Sequence, residues 1–267
     1  MSFMYNPFPF DDPKPINRPK LSEETINSIV TGGTPNVAKK FIAEIAAKVK
    51  SEGVIVGIDG YTTANWKLFV DLLARECIIN GFDFEVVDSN KETLKSGKEI
   101  DDMIDPNLIW DTKIDPTLLY GKLYHGGYIG LFDEAKMEQF KKDIPAKKTA
   151  GKLVVVAGYG SLIPEFRDMY DVKCWFDLTP MRTILRIRNG EYANIGKERP
   201  GIINRTIRRC YYCDFECAVQ LRKDLWKNNV PDYFFIDNDH GKLQMMPFES
   251  FADICAQLVK YPFRTKP

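Results

Sequence analysis

Gly57-Ile58-Asp59-Gly60-Tyr61-Thr62-Thr63-Ala64-Asn65-Trp66-Lys67 decides how this chain is read. Just before and into it, Val54-Ile55-Val56-Gly57-Ile58 is β-branched, apolar and uncharged, the composition of a buried strand. A turn containing Gly60 follows, and Trp66 to Ala74 carries apolar residues at helical spacing. Strand, turn and helix in that order aim backbone N–H groups and a helix N-terminus at a phosphate. A working loop of this kind reads glycine, four residues, glycine, lysine, then serine or threonine. Counted from Gly60, the last three positions are Asn65, Trp66 and Lys67, so the frame is present while the phosphate lysine and the magnesium hydroxyl are not.

Lys67 stands one position late, which turns it about 100° around the helix. Thr62 and Thr63 supply hydroxyls inside the loop, and Asn65 tolerates the left-handed conformation of the glycine it replaces. Gly57, Asp59, Gly60, Thr62, Thr63, Asn65 and Lys67 are therefore the candidate cofactor-binding residues, for ATP or another nucleotide held weakly. Two readings stay open: phosphoryl transfer by an unusual loop, or a degenerate loop retained as fold.

The 267 residues carry 37 Lys plus Arg against 37 Asp plus Glu, a formal net charge of zero, so no basic excess points to nucleic acid. No apolar run approaches the roughly eighteen residues of a spanning helix, and Met1 to Pro7 lacks the plan of a signal peptide. The expectation is a cytoplasmic protein without a membrane partner. Six scattered cysteines suit reduced thiols in that compartment.

Residues 1–50 read as a proline- and aromatic-rich extended arm followed by a helical lead-in, with helices near Ser22 to Val30 and Asn36 to Lys50. Residues 51–261 form the main domain, and 262–267 a basic, Pro-bounded linker. Within the domain, strands are expected at Phe82 to Asp88, Lys152 to Gly158, Val172 to Asp177, Tyr233 to Asp237 and Leu243 to Met246. Between them lie helices from about Asn65 to Asn80, near Asp133 to Lys142, from Pro180, from Asn204 to Lys227, and from Phe248 to Lys260; residues 89 onward start irregular. Strands alternating with helices imply right-handed crossovers and a mostly parallel sheet.

Asp88, at the end of its strand, is either a catalytic base or the cap of a turn. Arg182, Arg186, Arg188, Arg205, Arg208 and Arg209 flank a loop containing Gly190; they clamp a phosphate or coat two solvated helix faces. Cys210, Cys213 and Cys217, continued by Leu221 and Leu225, follow one helical stripe and read as a core seam without a fourth metal ligand. The two histidines, His125 and His240, sit in turns and support neither a zinc site nor a serine triad; no metal is expected.

Several segments resemble small-molecule P-loop kinases of the uridine kinase type, over roughly residues 51 to 240. Gly57 to Gly60 is similar to their loop entry, Lys152 to Gly160 and Tyr170 to Asp177 to their later strands. The resemblance implies an α/β, three-layer P-loop NTPase-like fold. It places Asp88 where that family contacts magnesium or a substrate hydroxyl, and Arg182, Arg186 and Arg188 near the arginine-bearing lid. Leu123 to Asp133 and Gly151 to Gly160 also resemble bacterial proteins in which such a domain precedes a class I mannose-6-phosphate isomerase. That resemblance implies an accessory module of sugar-phosphate metabolism, a small phosphorylated ligand and a C-terminal isomerase domain.

Overall fold

A computed structural model describes residues 20–260, apart from 112 and 117–119. The aromatic arm over residues 1–19 and the linker 262–267 lie outside the described residues. Six strands form one sheet: β1 (Val54–Gly60), β2 (Asp83–Asp88), β3 (Lys152–Ala157), β4 (Val172–Asp177), β5 (Tyr233–Ile236) and β6 (Gln244–Pro247). Their order is β2-β3-β1-β4-β5-β6, parallel throughout except that β6 runs antiparallel to β5. All seven residues of β1 are buried, as expected of a central strand covered on both faces.

Successive strand side chains point to opposite faces, and β5 shows both. Phe235 stacks on Phe176 at 4.4 Å and meets Phe69 at 5.1 Å. Phe69 belongs to α3 (Lys67–Asn80) and packs on Phe41 of α2 (Thr34–Glu52), so these two helices cover one face. Phe234, its neighbour, stacks on Phe251 of α10 (Phe248–Lys260) at 3.7 Å, and Trp226 of α9 (Phe215–Lys227) lies against the same ring at 5.3 Å. Helices on both faces give three layers.

Residue 50 lies inside α2, whose Val37, Phe41, Ile45 and Val49 join the core. The lead-in also carries α1 (Glu23–Ser28), where Ser22 caps the helix by accepting from Thr25 N, and Val30 bridges to Met245 beside β6. Between β2 and β3 the expected irregular start contains α4 (Ser89–Thr93) and α5 (Gly97–Ile104), followed by α6 (Glu134–Ala146). A capping box made by Ser96 and Glu99 starts α5. After β4, Thr179 caps α7 (Pro180–Arg188).

The single helix expected over 204–227 is corrected. It is α8 (Ile203–Arg209), a π turn over Cys210–Asp214, and α9. The wider turn rotates the stripe: Cys213, Cys217, Leu221 and Leu225 face the main core, while Cys210 turns to a separate cluster with Ile187 and Tyr192.

Candidate functional site

In an open α/β sheet, ligands sit beyond the carboxyl ends of the strands, where connections leave a central strand in opposite directions. Here β1 is that strand, flanked by β3 and β4. Four of the five parallel strands reach that edge with an aspartate: Asp59 in β1, Asp88 closing β2, Asp177 closing β4, and Asp237 just after β5. Each accepts from nearby backbone amides. Asp59 takes Gly60 N at 2.7 Å and Leu162 N at 2.9 Å. Asp88 caps α4 through Asn90 N and Lys91 N. Asp177 takes Leu178 N at 2.8 Å, and Asp237 takes Asn65 N at 2.7 Å.

The loop from Gly60 to Lys67 is short and tied down. Tyr61 N donates to Phe176 O, and Ala64 N closes a turn on Tyr61 O, both at 2.8 Å. Thr63 adopts φ +73°. Lys67 N donates to the Asn65 side chain at 3.1 Å, so α3 starts at Lys67 rather than at Asn65. Gly57 and Gly60 are positions of close approach and not of special φ: a Cβ on Gly57 would lie 2.5 Å from the Tyr170 ring, and one on Gly60 2.8 Å from Phe176 O and 2.7 Å from Ala64 Cβ. Because the Phe176 oxygen belongs to β4 and cannot swing aside, Gly60→Ala is expected to destabilise the protein by about 1–3 kcal/mol. A urea midpoint unchanged from wild type would contradict that close packing.

The sequence-derived residues then separate. Trp66, at the lysine position, packs edge-on against Tyr159 at 5.1 Å and Phe176 at 6.3 Å. Tyr159 follows β3 and donates its hydroxyl to Ala64 O. Lys67 points out, with its side chain 81% exposed beside Asp71. Thr62 donates to Asp214 O in the π turn and its carbonyl accepts from Thr183. Thr63 Oγ1 is buried without a hydrogen-bond partner. Asp59 is wholly buried, and burial lifts its carboxyl to about 7 against the opposing pull of the Leu162, Gly60 and Gly160 amides.

The arginines do not gather into one phosphate clamp, nor do they all coat solvated faces. Arg186 is buried; Nη1 donates to Asp237 at 2.6 Å and to Thr63 O at 2.9 Å, and Nη2 to Asp237 O and Oδ1 at 2.8 and 3.2 Å. All four terminal N–H groups thus have protein partners. Arg182 pairs with Asp239 at the surface, Arg208 is buried against Asp115 at 2.7 Å, and Arg209 is held by Asp101 at 2.5 Å. Arg205 and Arg208 both lie over the Trp110 ring. Among the described residues no group of three or more His, Cys, Asp or Glu side chains is arranged to hold a metal.

Sequence reasoning missed two parts of this edge. The first is a 750 Å³ pocket between β2, the start of α3, Gly158-Tyr159 and residues 193–198, lined by Lys67, Lys91, Lys95, Lys136 and Lys197 against Asp71, Asp88 and Glu198. Those lysines come from separate segments, so no local motif marks them. The pocket has the size of an ordinary small-ligand cleft. Trp66, Lys67 and Tyr159 form its shared wall with a 270 Å³ recess at Thr63–Lys67, Arg186, Glu191 and Tyr192. Asp88 reaches the larger pocket with a half-exposed side chain. The second is the π turn, which carries buried Asp214; its Oδ2 accepts from Tyr192 at 3.0 Å and Asn194 at 2.7 Å, and burial raises its carboxyl.

Strand, glycine loop and helix around a central β1 make this a three-layer α/β fold of P-loop NTPase type. A family model matches residues 39–260. The chain belongs to the family described as a domain of unknown function, DUF8485. No curated protein matches the sequence. Similar solved structures are kinases in name. One, provisionally named a fructose transport system kinase from Silicibacter sp. TM1040, is 13% identical with a TM-score of 0.46, over 72% of this chain and 95% of that one. A possible uridine kinase from Bacillus stearothermophilus is 11% identical with a TM-score of 0.44, over 74% and 97%. Phosphoribulokinase from Rhodobacter spheroides is 10% identical with a TM-score of 0.41, over 78% and 95%. Among the described residues no helix is long and apolar enough to cross a membrane.

Proposed function

We propose that this DUF8485 chain is a binding module of P-loop kinase build that holds a small phosphorylated ligand without transferring its phosphoryl group. The observation that carries it is the pocket with five lysines at the carboxyl edge, where lysine ammonium groups act as point charges on phosphate oxygens. The glycine loop does not suit a triphosphate. Its Asn65 amide is taken by Asp237, an indole stands where phosphoryl transfer uses lysine, and Arg186 has no terminal donor to spare. A nucleotide or a sugar phosphate is therefore placed with its phosphate among the lysines and beside Asp88.

Calorimetric titration with ATP-magnesium, UTP and mannose 6-phosphate is expected to give saturable binding of at least one of them. Lys67→Ala and Lys91→Ala each remove an exposed ammonium from the pocket wall. Each is expected to weaken that binding about threefold, since an exposed charge pair is worth about 0.2–1 kcal/mol. Binding untouched by both substitutions would overturn the placement. The rival reading, an ATP-dependent small-molecule phosphotransferase with Asp88 as base, is favoured by Asp88 facing the pocket. It predicts labelled product from ATP and a nucleoside or sugar panel at about 1 per second or faster, where the binding module yields none. The sugar-phosphate association, the cytoplasmic setting and the isomerase domain beyond residue 267 belong to the same proposal. A native polypeptide no larger than the 30.6 kDa of this chain would remove the isomerase from it.

A further inference from the structure

The loop after β1 already contains an anion. Asn65 N, two residues before α3, donates to Asp237 Oδ2 at 2.7 Å across 172 positions of sequence. The same carboxylate receives Nη1 and Nη2 of Arg186, which also binds Thr63 O and Asp237 O. Thr63, at φ +73°, is the kind of left-handed residue from which anion-cradling backbone concavities are built. A guanidinium and a main-chain amide converging on one oxygen pair is the donor set that a bound phosphate receives. Both side chains of the pair are only 6% exposed, so neither is a solvated surface contact.

Asp237 is also held from behind. Its own N donates to Asp177 O at 2.8 Å, which fixes it to the end of β4. The turn that follows is fastened to α7 and to the segment beyond it: Asn238 accepts from Thr179 N at 2.8 Å, Asp239 pairs with Arg182 at 2.7 Å, and His240 meets Glu191 at 2.9 Å. The carboxylate is delivered to the loop by a clamped hairpin.

We propose that Asp237 is an intramolecular stopper: it occupies the loop's anion seat, excludes free phosphate from it, and leaves an anion site made of Arg186 and the Asn65 amide when it is removed. The inference stands on the loop and goes beyond the lysine pocket, so the two fail separately. In the full chain, the ¹⁵N–¹H resonance of Asn65 is expected to be protected from exchange and unmoved by inorganic phosphate or pyrophosphate, whatever those anions do to resonances along the lysine pocket. In Asp237→Ala, pyrophosphate is expected to shift the Asn65 resonance and to bind at least about tenfold more tightly than it does there in wild type. Acetate, which restores a carboxylate, is expected to raise the thermal midpoint of that variant and not that of wild type. Asp237→Asn keeps the shape and one acceptor, and is expected to show a weaker form of both effects. A wild-type Asn65 amide that exchanges freely or moves with phosphate overturns the stopper even if neither variant folds. Folded variants whose Asn65 resonance ignores pyrophosphate overturn it as well.

Discussion

Arg186→Ala is expected to lower the unfolding free energy by about 3–5 kcal/mol, because it strands the Asp237 carboxylate in a buried site. The arginine and the aspartate are joined by two hydrogen bonds of 2.6 and 3.2 Å, and their side chains are almost wholly enclosed. The substitution also strips the Thr63 carbonyl of the donor that fixes the loop. Taking away one partner of such a pair is costly, whereas replacing both by uncharged groups of similar shape is often near neutral. The double variant Arg186→Met, Asp237→Asn should therefore lose much less than the sum of the two single losses. Urea unfolding of wild type, Arg186→Met, Asp237→Asn and the double measures the coupling directly. A loss below about 1 kcal/mol in Arg186→Ala would mean that water reaches and screens the pair, as at an exposed bridge.

A second large effect is expected from pH at Asp59. Burial lifts this carboxyl to about 7 in the folded protein, while an unfolded aspartate titrates near about 3.9. Between those values the folded state keeps a proton that the unfolded chain gives up. The contribution of Asp59 to stability is thus complete below about pH 4, falls as pH rises, and levels off above about pH 7. At roughly 1.4 kcal/mol per pH unit the whole change amounts to about 4 kcal/mol. Other carboxyls overlay the trend: burial also raises Asp177 and Asp214, whereas hydrogen bonds from Lys147 and Lys152 hold Glu85 low, and Asp171, against its own burial, is held low by Lys148, the Ile55 amide and Lys48. The measurement is therefore the difference in thermal midpoint between wild type and Asp59→Asn across pH 4 to 8. That difference should shift against wild type up to pH 7 and then become flat. A constant difference would place Asp59 in contact with solvent, contrary to its complete burial.

What could be read from the residues alone follows a simple division. The apolar, valine-rich runs Val54 to Ile58 and Leu153 to Ala157 and the mostly apolar run Val172 to Phe176 mark strands because strand chemistry is local. Ser22 and Pro180 mark helix starts for the same reason, and Ser96 with Glu99 carries the capping-box signature of α5. That Asn65, Trp66 and Lys67 follow the turn at Gly60 is likewise a fact of sequence, wherever the rest of the chain lies.

The tertiary structure decided what fills that loop. Asn65 and Asp237 meet only because β1 and β5 end at the same edge of one sheet, and no periodicity in either segment encodes the partner of a polar atom 172 residues away. The same holds for the lysines at 67, 91, 95, 136 and 197, dispersed along the chain and collected around one pocket by the parallel strand order. It holds too for the π turn at Cys210, where an extra residue per turn is favoured by contacts to Thr62, Tyr192 and Asn194 that no helical repeat reveals. Apolar spacing reports which face of a segment turns inward. Which polar groups then find one another is settled by the packing of remote segments, and in this protein that packing sets the Asp237 carboxylate against the Arg186 guanidinium and the Asn65 amide.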